Sequence, residues 1–197
     1  PRIAEYASMI ELLDQNVGKI NDALKDPNGD GNYEDDITEN TIFIFYSDNG
    51  GLVNNKPLRG KKGNLTEGGI RVPLIFRYPN IIAKNTISNQ AVHCIDFLPT
   101  FADLVGVNVS KLKKKDGSKP KYDCESFAKV LTGAQKRISR DNLFWHLPGY
   151  MDDRFSPSTL IQKRIGNEYY KLFYFYETDE FEMYNITKDI SEKINIL

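Results

Sequence analysis

Thr41-Ile42-Phe43-Ile44-Phe45-Tyr46 is a β-branched and aromatic run that stops at Ser47-Asp48-Asn49-Gly50-Gly51. With no polar alternation it predicts a strand buried on both faces, as in the parallel sheet of an α/β protein. In such sheets ligands collect beyond the carboxyl ends of the strands, where Asp48 and Asn49 fall. Their carboxylate and amide oxygens are hard donors suited to Ca²⁺ or Mg²⁺, and the glycines let backbone approach a ligand closely. The same residues also suit a plain Asx turn, in which Asp48 bonds its own backbone.

The next segment outward reads Pro57-Leu58-Arg59-Gly60-Lys61-Lys62-Gly63-Asn64-Leu65-Thr66-Glu67-Gly68-Gly69-Ile70-Arg71-Val72-Pro73. The Asp-Asn-Gly-Gly turn followed by these Arg-Gly-x-Lys and Glu-Gly-Gly-x-Arg stretches resembles arylsulfatase-type members of the sulfatase family, in the alkaline phosphatase superfamily. Tyr6 to Leu24, Asp96-Phe97-Leu98-Pro99-Thr100 and Phe173 to Asp189, with Glu182-Met183-Tyr184-Asn185 as a turn into the tail, extend the likeness. It covers nearly the whole chain, but only the latter part of a sulfatase. The fold expected is α/β, a largely parallel sheet flanked by helices, followed by a small C-terminal antiparallel sheet subdomain. Residues 1–138 are assigned to the latter part of the catalytic domain and residues 139–197 to the subdomain.

The resemblance implies hydrolysis of aryl or glycan sulfate monoesters with a divalent cation, Ca²⁺ or Mg²⁺, held by Asp48 and Asn49. Lys62 aligns with the family's sulfate-contacting lysine, where a cation neutralises a sulfate oxygen and then the leaving oxygen. Its neighbour Lys61 leaves room for a shift of one position. Trp145-His146-Leu147-Pro148-Gly149-Tyr150 resembles a Trp-His-x-Pro segment near the substrate cleft of some relatives. His146 is therefore read as a substrate contact or, alternatively, a packed core histidine. Arg59, Glu67 and Arg71 read as scaffold, since buried guanidinium and carboxylate groups fix loop shape. His93, ahead of an apolar helix, reads as structural.

The family's nucleophile is a formylglycine made within a Cys/Ser-x-Pro/Ala-x-Arg motif. Cys94 is followed by Ile95-Asp96-Phe97-Leu98 and Cys124 by Glu125-Ser126-Phe127-Ala128, so neither fits. A Ca²⁺ ion takes about six to eight oxygens, of which Asp48 and Asn49 supply a minority. The formylglycine and the remaining ligands are expected upstream, and the isolated chain is expected to be inactive. A parallel sheet lacking upstream strands would expose an edge and an apolar face, so the chain should self-associate or order only beside its missing N-terminal half.

Composition bounds the partners. With 197 residues, 40% of them hydrophobic, the chain is globular, and its net charge of −1 gives no overall field for nucleic acid. No apolar stretch is long enough to span a bilayer, and Pro1-Arg2-Ile3-Ala4-Glu5 is not a signal peptide. The resemblance points to a periplasmic or secreted protein, while the sequence itself names no compartment. Two cysteines make no disulfide framework; they read equally as a bridge or as free thiols.

Along the chain, Tyr6, Met9, Ile10, Leu13, Val17, Ile20 and Leu24 predict an amphipathic helix packed on a sheet. Asp26-Pro27-Asn28-Gly29-Asp30-Gly31 matches the opening of an EF-hand loop, but Ile37 stands where the bidentate Glu belongs, so a solvated turn competes with a second calcium site. Val72 to Tyr78 predicts another buried strand, and Asp96 to Val105 a helix with Pro99 near its first turn. Lys111 to Lys121 reads as an exposed basic loop, with a polyanion-binding patch as the alternative. Leu143 to His146, Ser158 to Ile161 and Tyr169 to Tyr176 predict short antiparallel strands, and a helix is expected to begin at Ile190. Two rival functions stay open at this level: a phosphoester or phosphonate hydrolase of the same superfamily, and a non-catalytic binding or structural module.

Overall fold

A computed structural model describes residues 3–53, 55–150 and 156–197. They divide into two compact units, Pro1–Ile44 with Phe76–Ile87, and Phe45–Ile75 with Ser88–Leu197.

In the first unit the helical spacing produces α1 (Ile3–Lys25), yet none of its residues is buried. Met9, Ile10, Leu13 and Ile20 are exposed, so the expected packing of this helix on a sheet is absent among the described residues. The loop that follows is closed by its own side chains. Asp26 accepts the N–H groups of Gly29 at 2.8 Å and Gly31 at 2.9 Å, and Asp30 accepts that of Asn32 at 2.7 Å. The Asp30–Asn32 bond is that of an Asx turn, and the Asp26 carboxylate reaches further along the exposed loop.

β1 (Phe43–Tyr46) and β2 (Leu74–Arg77) form a two-stranded sheet. Both are shorter than the apolar runs that predict them, and neither is buried on both faces: Tyr46 is 37% and Ile75 58% exposed. Two strands present too little surface to cover either face.

In the second unit Asp96 organises the segment around α3 (Phe97–Leu104). Its buried carboxylate accepts the backbone N–H of His93 at 2.9 Å and of Glu125 at 3.0 Å, and takes Arg140 in a two-pronged pair at 2.7 and 2.5 Å. Burial opposes its charge, but these bonds win and hold its carboxyl below the usual range. Pro99 is buried in the first turn of α3, where a missing N–H costs little. The short helix α4 (Ala128–Leu131) packs near it.

β3 (Asn142–Leu147), β4 (Ser158–Ile165), β5 (Glu168–Phe175) and β6 (Glu180–Asn185) form an antiparallel sheet in that order. The register aligns Trp145 with Leu160, Leu160 with Phe173, and Lys171 with Tyr184. Alternation puts these residues on one face, where Leu160, Phe173, Tyr184 and Ile186 make the core, with Leu65, Ile70, Trp145, Tyr169 and Phe175 packed against it. The antiparallel sheet is as expected, and Glu182-Met183-Tyr184-Asn185, read from sequence as a turn into the tail, lies in its fourth strand, Glu180–Asn185. The helix expected from Ile190 does not form. Glu192 adopts φ 51° and is buried, which interrupts any helix there.

Candidate active site

Ser47, next after β1, donates its N–H to the Pro73 carbonyl at 3.3 Å and its hydroxyl to the Asn49 carbonyl at 2.8 Å. Gly50 then donates to the Gly69 carbonyl at 2.9 Å. A Cβ on Gly50 would lie 1.8 Å from the Gly68 oxygen, and one on Gly69 would lie 2.0 Å from the Asn64 oxygen. These glycines thus admit backbone against backbone: the Asp-Asn-Gly-Gly turn is seated on α2 (Glu67–Ile70). Asn55 Nδ2 staples the same junction, donating to Gly51 at 3.0 Å and Gly68 at 2.9 Å.

The turn leaves its oxygen side chains free. Asp48 is exposed, and its carboxylate accepts no hydrogen bond among the described residues. The half-buried Asn49 donates Nδ2 to the Gly50 carbonyl at 3.0 Å, and its Oδ1 has no partner among them. Ser47 and backbone bonds hold the bend, so Asp48 is not needed as an Asx-turn acceptor. Two side chains with unpartnered oxygens at the end of β1 fit a hard cation in donor type, though they are a minority of its coordination. Among the described residues no three His, Cys, Asp or Glu side chains are grouped to hold a metal.

Lys62 is brought to this turn by its backbone, whose N–H donates to the Gly51 carbonyl at 3.0 Å. It is half-buried, and its ammonium has no ion pair among the described residues. An open hollow of about 400 Å³ lined by Leu52, Val53, Gly60, Lys61 and Asn64 lies in the same loop. A lysine without an internal partner, on backbone tied to the turn that carries two side chains with free oxygens, is of a type that can meet an anion which also ligates a metal.

The residues read as scaffold do scaffold the loop. Arg59 Nη1 donates to Glu182 Oε2 at 2.8 Å and to the Tyr184 hydroxyl at 2.9 Å, anchoring the loop to β6. Glu67 Oε2 accepts from Arg71 at 3.2 Å. Sequence reasoning missed the other half of this anchor. Lys171, 0% exposed, donates Nζ to Glu67 Oε1 at 3.0 Å, Glu192 Oε1 at 2.8 Å and the Leu65 carbonyl at 3.2 Å. Glu192 Oε2 in turn accepts the Glu67 N–H at 2.8 Å. Burial pushes the Glu192 carboxyl up against the pull of Lys171, as one ammonium between two buried carboxylates requires. The signal was present: in β5, Lys171 stands two residues before Phe173, on the core side of the alternation.

His146 is exposed on β3, its Nδ1 2.8 Å from the Thr159 hydroxyl and 3.2 Å from that of Tyr176. It is not a packed core histidine, and no contact among the described residues joins it to Asp48, Asn49 or Lys62. His93 is structural, as read: its ring accepts from the Ile95 N–H at 3.4 Å and meets Trp145 edge-on at 5.8 Å. Cys94 and Cys124 are both free thiols.

Comparison with known proteins extends this local reading to the chain. The Sulfatase family profile matches residues 1–107, and that of the N-sulphoglucosamine sulphohydrolase C-terminal region matches residues 61–197. A sulfatase of Formosa agariphila is 50% identical over 98% of this chain and 35% of its own length. An N-acetylglucosamine-6-O-sulfatase of Bacteroides thetaiotaomicron is 29% identical over 98% of this chain and 31% of its own. The solved structure of a 2-O GAG sulfatase, 23% identical, shares the fold with a TM-score of 0.55 over 80% of this chain and 32% of that one. The chain thus spans about a third of the length of the relatives it matches. By both profiles and by the Formosa relative, the chain belongs to the sulfatase family.

Proposed function

We propose that this chain is the C-terminal portion of a sulfatase that hydrolyses sulfate monoesters, aryl or glycan. The observation that carries the reading is the turn after β1. Asp48 and Asn49 keep their oxygens unpartnered while Ser47, Gly50 and Asn55 hold the bend, and Lys62 is tied to the same turn. Asp48 and Asn49 would hold Ca²⁺, with Mg²⁺ as the substitute, and Lys62 would bind the sulfate. Bound there, the cation would supply Lewis-acid polarisation of the sulfate and orientation of the nucleophile. The formylglycine and the other ligands belong to a segment upstream. His146, its ring oriented by Thr159 and Tyr176, would hydrogen-bond the sugar or the ester. In the intact protein β1 and β2 would join a largely parallel sheet, with residues 1–138 in the catalytic domain and 139–197 as its antiparallel subdomain.

Turnover of 4-nitrophenyl sulfate by the full-length protein tests this. Lys62→Ala should lower kcat/KM by about 10² to 10³, the scale of one lost group that stabilises developing charge. Asp48→Ala should abolish the dependence on added Ca²⁺. Retention of both rate and calcium response in the two variants would remove this turn from the active site. The 197-residue chain alone should give no turnover.

A further inference from the structure

Residues 111–121 hold six lysines and one acid, five positive charges net, in a chain whose total is −1. All six lysines are exposed, and none has an ion pair among the described residues. The segment is a built turn. Lys114 donates its N–H to the Ser118 carbonyl at 2.8 Å, and Gly117 donates back to the Lys114 carbonyl at 2.9 Å. The one acid is occupied inside that turn: Asp116 Oδ1 accepts from the Ser118 N–H at 2.9 Å and hydroxyl at 2.7 Å. Asp116 offsets one of the six charges without pairing to any lysine, so Lys111, Lys113, Lys114, Lys115, Lys119 and Lys121 keep an excess of five. Crowded like charges repel in the free protein, and a polyanion relieves that repulsion while releasing its own counterions.

We propose that this lysine hairpin is a binding surface for a sulfated polysaccharide, a contact for the polymer separate from Lys62. The choice of a sulfated chain over nucleic acid rests on the sulfatase reading, because a polymeric sulfate ester carries both the bond to be cleaved and the charge that these lysines match. The surface would raise the local concentration of polymer without touching the reacting group.

The test uses the full-length protein with Lys113→Gln, Lys114→Gln and Lys115→Gln combined. Lys84→Gln, Lys129→Gln and Lys136→Gln combined remove the same charge elsewhere. Affinity for dextran sulfate, uncharged dextran and single-stranded RNA is measured by calorimetry across a salt series. The hairpin variant should bind dextran sulfate at least about tenfold more weakly, with the slope of log Kd against log salt reduced by about 2. The control variant should match wild type, and uncharged dextran should not bind. With a sulfated polymer as substrate, KM should rise in the hairpin variant alone, while kcat/KM on 4-nitrophenyl sulfate stays unchanged. Equal losses in the two variants would overturn the proposal, as would tighter binding of RNA than of dextran sulfate. Binding needs no turnover, so wild-type protein that binds dextran sulfate through the hairpin but cleaves no sulfate ester would defeat only the sulfatase reading.

Discussion

Gly50 carries the turn at the residue scale, because a methyl group there would overlap the Gly68 carbonyl at 1.8 Å. The obstacle is backbone, which cannot swing aside as a side chain can. Gly50→Ala in the full-length protein should cost at least about 3 kcal/mol of stability, read as a lowered urea midpoint. A midpoint equal to wild type would show that the turn and α2 are not in contact. Asp96 sets a second expectation. Its carboxyl is held below the ordinary value despite burial, through Arg140 and two backbone N–H groups. A lowered folded pKa means that its stabilisation is in place at neutral pH and is lost as pH falls through the folded value. Arg140→Met should therefore move acid unfolding, followed by circular dichroism, to higher pH. Superimposed acid titrations would take this pair out of the account. Asp96-Phe97-Leu98-Pro99-Thr100 was legible as a landmark, but its partner Arg140 lies 44 positions away, where no local pattern reaches.

At the scale of elements, the antiparallel sheet has its own core and fixes the loop through a charged contact. Leu160 is fully buried between Trp145 and Phe173 in the register, and Leu160→Ala should cost about 2–5 kcal/mol. Lys171 is the more telling position. Lys171→Met would leave Glu192 without a counter-charge and Glu67 with only the half-exposed Arg71, a loss of about 3–5 kcal/mol. Glu192→Gln, which keeps an oxygen for the Glu67 N–H, should cost clearly less. Thermal melts of the full-length variants order the two, and the reverse order would mean that the triad is not held by charge. Three of the four strands follow from alternation and aromatic content. The strand Glu180–Asn185 was obscured because Glu182-Met183-Tyr184-Asn185 reads in isolation as a turn, and only pairing with β5 reveals it.

At the scale of the whole molecule, an exposed α1 and a two-stranded sheet with open faces describe a chain short of surface to bury. Met9, Ile10, Leu12, Leu13 and Ile20 together leave a run of apolar side chains in water. The isolated chain should accordingly self-associate, giving a light-scattering mass above 22.5 kDa. A monodisperse monomer at micromolar concentration would contradict this. The sequence by itself determined a helix over Ile3 to Leu24, the hydrophobic run that ends at Tyr46, three aromatic strands and the family, since each is written in local spacing or in a short motif. Tertiary structure alone decided that Gly50 meets Gly68, that Lys171 is clasped by Glu67 and Glu192, and that the Asp48 oxygens stay free. The physical reason is that these depend on which backbone and charge arrive from distant positions, and burial sets their energies only once the chain has closed around them.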